Sequence, residues 1–223
     1  MSYCVAIDGP AGAGKSTIAR QIAKKMNLIY VDTGAMYRAM ALFLIREGVD
    51  GADQEEICKK CEEADITIKY ENGEQVVYLN GENVNAFLRT EEVGKMASVS
   101  SPQPRLRKKI VALQKRLAES ADVVMDGRDI GTCVLPDADV KIYLTASSSV
   151  RAKRRFDELT AKGENCSLED IEKDIVERDN RDMTRKESPL MQAEDAILVD
   201  TSDMPVNEVV QKIIAICMEK RGI

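Results

Sequence analysis

An α/β fold is predicted for this 223-residue chain: a parallel sheet of five strands flanked by helices, with a small antiparallel β subdomain inserted and a helical lid. Three observations predict it. Apolar strand-like runs alternate with helical patterns, the signature of a parallel sheet covered on both faces. A glycine-rich turn ending in Lys15-Ser16 joins the first such run to an amphipathic helix. One middle stretch breaks the alternation and carries two Asn-Gly pairs.

The first run is Tyr3–Asp8, and the turn after it is Gly9-Pro10-Ala11-Gly12-Ala13-Gly14-Lys15-Ser16, which fits G-x-x-x-x-G-K-[ST] at every fixed position. Glycines there let successive backbone N–H groups face phosphate oxygens, Lys15 reaches the outer phosphates, and the Ser16 hydroxyl is placed to ligate Mg²⁺. Gly-rich turns also serve plain packing, but Lys-Ser after the last glycine has no packing purpose. The context is that of the P-loop NTPase fold, and the ligand it implies is a nucleoside triphosphate. The helix that follows buries Ile18, Ile22 and Met26 and turns its positive end to the same anion.

Leu28–Asp32 is the second strand. Asp65–Tyr70, Gln75–Leu79 and Glu82–Val84 are short β-prone runs separated by Asn72-Gly73 and Asn80-Gly81, the strongest short hairpin signal. They predict an antiparallel meander in an insert over about residues 51–100. A helix opening at Pro102-Gln103-Pro104 carries Leu106, Ile110, Leu113 and Leu117 as its buried stripe, with Arg105 and Arg107 beside it. Strands follow at Asp122–Asp126 and Val140–Thr145. From 147 to 185 the chain is highly charged and helical, with Ser167-x-x-Asp170 as a cap and Ala161–Asn165 as a polar turn. Few apolar anchors make this segment a lid that moves. Ala196–Val199 is the last strand, and Val206, Val209, Val210, Ile213, Ile214 and Cys217 mark the last helix. The core of a single unit is then 1–50, 101–146 and 186–223.

Composition narrows the chemistry. A net charge of −6 argues against broad nucleic-acid binding, yet arginines crowd the second half of the chain. A local positive site in an acidic protein captures a small polyanion. Histidine is absent, which excludes an imidazole base or a His-ligated metal; phosphoryl transfer needs neither. The six cysteines follow no secreted framework, and Cys58-Lys59-Lys60-Cys61 lacks a second pair to complete a metal site. No apolar run approaches the roughly 20 residues that span a membrane. With no charged leader before the first strand, a cytoplasmic protein is expected.

A phosphate loop alone suits a GTPase switch, a motor or a small-molecule kinase. The Asn-Lys-x-Asp segment that a GTPase uses to read its base does not occur. A small kinase predicts a second anion site with arginines from separate segments, and these are present. Asp8-Gly9-Pro10, Asp32-Thr33-Gly34-Ala35-Met36-Tyr37-Arg38, Asp126-Gly127-Arg128-Asp129-Ile130-Gly131-Thr132 and Arg178-Asp179-Asn180-Arg181-Asp182-x-x-Arg185 resemble, in order and over essentially the whole chain, the bacterial type of cytidylate kinase. Thr33 stands where serine is frequent in that family, and either hydroxyl can donate.

The resemblance implies transfer of the γ-phosphoryl group of ATP to CMP and dCMP, with Mg²⁺ as cofactor. It implies ATP binding by Gly9, Pro10, Ala11, Gly12, Ala13, Gly14, Lys15, Ser16 and Thr17, with Ser16 on the metal. For CMP it implies Thr33, Tyr37, Arg38, Ser98, Arg107, Arg128, Asp129, Arg178, Asp182 and Arg185, of which Ser98, Arg107 and Asp129 read the cytosine and Arg178 and Asp182 hold the sugar. Lys15, Arg128 and Arg185 are the expected catalytic residues. The chemistry agrees: Arg38, Arg128 and Arg185 are planar forks suited to a phosphate, although a lone arginine is by default a surface ion-pair partner. Asp126 either reaches Mg²⁺ through water or caps its strand end. The run Arg151-Ala152-Lys153-Arg154-Arg155 is either a solvated face or a set of lid arginines over the ATP phosphates, and spacing does not say which of the three points inward. The expected partners are small molecules only, ATP and CMP or dCMP, without nucleic acid or membrane, bound by a monomer.

Overall fold

The computed structural model describes residues 2–71 and 73–222. In chain order the elements begin with β1 (Cys4–Asp8), α1 (Lys15–Met26), β2 (Ile29–Asp32), α2 (Thr33–Arg46) and α3 (Gln54–Lys60). They continue with β3 (Ile66–Glu71), β4 (Glu74–Leu79), β5 (Glu82–Asn83), α4 (Glu91–Ser100) and α5 (Pro104–Ser120). The last are β6 (Val123–Gly127), β7 (Val140–Thr145), α6 (Ser148–Ala161), α7 (Leu168–Thr184), β8 (Ile197–Asp200) and α8 (Val206–Arg221).

These form a five-stranded parallel sheet in the order β2-β6-β1-β7-β8 and a separate antiparallel sheet β3-β4-β5. The predicted fold class holds. The central strands read as continuous apolar runs because both of their faces are covered: all five residues of β1 are buried, as are Val123 to Asp126 of β6. Register is in step across the sheet, with Val5 opposite Val124 on one side and Val140 on the other. The carboxyl ends of β1, β6 and β7 therefore lie together, where a ligand of such a sheet binds.

The chain divides into two compact units. One comprises Tyr3–Leu28 and Asp122–Ile223, and it holds the phosphate loop, α1 and everything from β6 onward. Ile7, Ile22, Met125, Ile130, Ile142 and Leu144 are its largest fully buried side chains. The helical pair α6 and α7 belongs to it; the Ser167 hydroxyl caps α7 through the Asp170 N–H at 3.3 Å, as the cap pattern predicts.

The other unit is built on Ile29–Ala121, with α2, α3, α4, α5 and the small sheet. Met36, Met40, Leu44, Leu106 and Ile110 form its core. Asn80 and Gly81 have φ of +50° and +83°, the paired left-handed conformation of a tight hairpin, and they turn β4 into β5. Of the other hairpin pair, Asn72 lies outside the described residues, and Gly73 has φ of +80°. Helix α5 starts at Pro104, within the Pro102-Gln103-Pro104 opening expected, and the Gln103 side chain caps it at the N–H of Arg105 and Leu106 (2.7 and 3.3 Å). Its buried row is Leu106, Ile110, Gln114 and Ala118, with Arg107 alongside. The stripe lies one residue past the Leu113 and Leu117 expected, because the fully buried row follows the four-residue spacing from Leu106. Among the described residues no helix is long and apolar enough to cross a membrane.

Candidate active site

β1 delivers the phosphate loop. Gly9 has φ of +145°, and a Cβ there would lie 1.9 Å from the Leu144 carbonyl oxygen, so only glycine lets the chain leave the strand in this direction. Gly14, at φ +89°, starts α1 without a side-chain cap, which leaves the first-turn amides of the helix to an anion. Lys15 is 6% exposed and folds its ammonium back to the Pro10 carbonyl oxygen at 2.7 Å. Burial, and then the charges of Arg128 and Arg178, hold that ammonium well below the ordinary lysine range, while Asp126 and Asp8 pull the other way. Two guanidinium charges thus bear on the loop lysine. Such crowding is the mark of a site for a multiply charged anion.

The turn after β6 is fixed by the end of β1. Both oxygens of the Asp8 carboxylate accept backbone N–H groups, from Ile130 at 2.8 Å and Gly131 at 2.7 Å. The chain there makes a wide helical turn, Ile130–Val134, with Leu135 N–H bonded to the Ile130 carbonyl at 2.7 Å. Asp129 is 4% exposed at the mouth of this turn. Burial pushes the Asp8 carboxyl up to about 6, against the two amides that favour its charge.

Helix α7 and the segment after it bring the remaining predicted residues of this unit to the same place. Arg128 Nε donates to Asp182 Oδ2 at 2.9 Å. Burial raises the Asp182 carboxyl, but Arg128, Arg178 and Arg185 more than reverse this and hold it below the usual carboxylate range. Arg185 donates from Nε to the Ser188 carbonyl at 2.7 Å and brings Nη2 within 3.8 Å of Asp129. Lys15, Arg128, Asp129, Arg178, Asp182 and Arg185 therefore form one electrostatic cluster beside the loop.

Of the arginines whose direction spacing left open, Arg151 is buried and donates to the Ala11 and Ala146 carbonyls, Arg154 donates to the Thr201 carbonyl at 2.7 Å, and Arg155 lies on Glu158 at the surface. The role of Arg151 had no sequence signal, since its partners are chosen by tertiary contact. The same holds for the grip of Asp8 on the Ile130 turn.

In the other unit the predicted residues gather at the start of α2. The Asp32 carboxylate caps the helix through the Ala35 N–H at 2.9 Å and accepts both contacts of Arg38 Nη2, at 3.2 and 3.1 Å. Arg89 stands 3.6 Å from the same carboxylate. Gln75 of β4 reaches across to Asp32, its Oε1 accepting the backbone N–H at 2.9 Å and its Nε2 donating to the carbonyl at 3.1 Å. Thr33 is buried in the first turn. The Arg107 guanidinium, 5% exposed, sits 5.6 Å from the centre of the Tyr37 ring and donates to the Ser101 carbonyl at 3.4 Å. Ser98 is half-buried on α4. Arg89 and Gln75 were not anticipated.

The donors suited to a divalent cation at the loop are oxygens: the half-buried Ser16 hydroxyl in the first turn of α1 and the buried Asp126 carboxylate, whose charge reaches Lys15. Hard oxygen donors beside a phosphate loop fit Mg²⁺, which takes one or two protein oxygens and completes its shell with phosphate and water. Among the described residues there is no cluster of three or more metal-binding side chains, which a metal held by protein alone would need.

Known proteins share this fold and sequence pattern. A solved shikimate kinase from Bacteroides thetaiotaomicron superposes with a TM-score of 0.51 at 12% identity, covering 96% of this chain and 98% of its own, and thus shares the fold. A cytidylate kinase of Lactobacillus johnsonii is 49% identical over 217 residues, 97% of this chain and 94% of its own length. Another, from Carboxydothermus hydrogenoformans, is 45% identical over 219 residues, 98% and 99% of the two chains. The pattern of one family matches from residue 5 to residue 219, across the loop, the Asp126–Thr132 turn and the arginine cluster alike, so the chain is a kinase and belongs to the cytidylate kinase family.

Proposed function

We propose that the protein transfers the γ-phosphoryl group of ATP to CMP, and to dCMP, giving ADP and the nucleoside diphosphate. The observation that carries this reading is the gathering of cations at the uncapped phosphate loop: buried Lys15, with Arg128 and Arg178 bearing on its charge. Two phosphate groups facing each other are the ligand that relieves it.

In this reading the loop amides and Lys15 take the outer phosphates of ATP. Ser16 and, through water, Asp126 would hold Mg²⁺, which would supply charge neutralisation there. Arg38, Arg128 and Arg185 grip the acceptor phosphate and meet the charge that spreads over the moving group. No general base is required, because a phosphate oxygen is already a nucleophile. Thr33 and Tyr37 line the acceptor, and Arg178 with the ionised Asp182 takes the sugar hydroxyls. Cytosine presents an amine donor beside the N3 and O2 acceptors, so Asp129 and Ser98 receive the amine and Arg107 satisfies the acceptors. Uracil turns an acceptor toward Asp129 and is rejected. The segment 147–185 acts as the lid and 51–100 as the acceptor subdomain of a cytoplasmic monomer.

The test is the initial rate of ADP formation at fixed ATP with CMP, dCMP, UMP, AMP and GMP. CMP and dCMP are expected to be used best. ADP release that does not depend on a monophosphate, or a faster rate with another base, overturns the proposal.

A further inference from the structure

Arg151 of α6 is 5% exposed, and all three of its donor directions are engaged by protein. Nε donates to the Ala146 carbonyl at 2.9 Å, Nη1 to the Ala11 carbonyl at 2.9 Å, and Nη2 lies 2.7 Å from Asp179 Oδ2. Its stem also covers the loop: a Cβ on Gly12 would lie 3.3 Å from the Arg151 Cβ. One guanidinium therefore touches the end of β7, the phosphate loop and α7. Asp179 is the neighbour of Arg178 and lies three residues before Asp182. Its Oδ1 has no hydrogen-bond partner among the described residues, so its hold on α6 runs through Oδ2 alone.

A pair this dry is a poor source of net stability, since the loss of hydration offsets the attraction. A planar fork fixed at several points does supply direction. Here it gives direction between two elements: Asp179, one residue from Arg178 on α7, is tied through Arg151 to the Ala11 carbonyl of the loop.

We propose that Arg151 is a positioning residue which clips the phosphate loop to α7 through Ala11 and Asp179, so that ATP bound at the loop sets Arg178 and Asp182 in place for transfer. This rests on the kinase reading of the site. The clip adds a route by which the donor organises the acceptor side.

Three variants test it. Arg151→Met combined with Asp179→Leu removes both charges and keeps the volume, and its melting temperature is expected to match or exceed that of the wild type. A purely structural role would then be repaired. The clip instead predicts that kcat with CMP falls about 10²-fold, the cost of a misplacement of about 1 Å, while KM for ATP stays within about threefold. Arg151→Lys keeps the charge beside Asp179 but cannot span Ala11 and Ala146, and it is expected to lose kcat while remaining folded; this variant decides if the double variant fails to fold. Hydrogen exchange with a non-hydrolysable ATP analogue alone gives a readout independent of CMP. In the wild type, residues 168–184 should gain protection together with the loop, and in the double variant only the loop should. A folded variant with wild-type kcat, or equal protection of α7 in both proteins, overturns the clip. A wild type that protects α7 yet fails to phosphorylate CMP sinks the acceptor assignment and leaves the clip standing.

Discussion

Replacing Lys15 by methionine should leave the empty protein as stable as before, or more so, while nearly abolishing turnover. The side chain is buried, and its ammonium is opposed by Arg128 and Arg178. Removing that ammonium relieves its burial and its repulsion with Arg128 and Arg178 at the expense of its attraction to Asp126 and Asp8. Against this stands the bond to the Pro10 carbonyl at 2.7 Å, worth about 1 kcal/mol. Because burial and the arginines outweigh the carboxylates, Lys15→Met is expected to be no less stable than the wild type. The rate moves the other way. A charge clamp that acts on the developing negative charge contributes about 3–4 kcal/mol, a loss of 10²–10³-fold in kcat. The pH dependence gives an independent sign. A lysine whose folded value is depressed binds its proton less tightly in the native state, so stability rises with pH from the folded value up to the unfolded one, about 10.4. That rise belongs to the wild type and should be missing from Lys15→Met. Urea unfolding across this range and a coupled assay of ADP release measure both halves. A variant destabilised by more than about 1 kcal/mol contradicts the crowding argument. One that keeps more than about a tenth of kcat contradicts the transition-state role.

Three other substitutions separate the remaining roles. Asp129→Ala should hurt kcat/KM for CMP far more than for UMP, narrowing a discrimination of up to about 10⁴-fold; an unchanged ratio would make Asp129 a structural part of its turn. Arg185→Ala should lower kcat by about 10²-fold with KM for CMP moved less than about threefold, as expected of a group that meets the transferring phosphoryl; equal changes in both would assign it to ground-state binding. Asp8→Asn probes the carboxyl pushed up from 3.8 to about 6. A raised folded value stabilises fully below the unfolded one and is lost as pH rises through the folded one, so from pH about 4 to 7 the wild type should lose about 3 kcal/mol relative to Asp8→Asn. Parallel stability curves from urea unfolding would show that the Ile130 and Gly131 amides cancel the burial.

What the sequence made legible was whatever the backbone dictates locally. The loop could be read at every fixed position because Gly9 admits no Cβ against Leu144 and the helix after it must begin at Lys15. The hairpin at Asn80-Gly81 was legible for the same reason, two positive φ values in succession. The Arg128, Asp182 and Arg185 cluster was visible only as spaced motifs that resemble a family, since nothing in spacing alone says that α7 returns to the end of β6. Long side chains with tertiary partners were the least legible. Arg151, Arg154 and Arg155 stand within five residues, yet one clamps the loop, one caps the Thr201 segment and one lies on the surface. Each could reach several acceptors, and the choice is made by which helix packs where. Leu113 and Leu117 were read as the face of α5, and the one-residue shift to Gln114 and Ala118 has the same origin. A stripe of leucines fixes a helix face only to within about 100° per residue, so a buried polar residue such as Arg107 or Gln114 can sit on it unseen. For Arg107 that is consequential. It is buried beside Tyr37 and donates to the Ser101 carbonyl at 3.4 Å, tertiary choices that a leucine stripe does not announce.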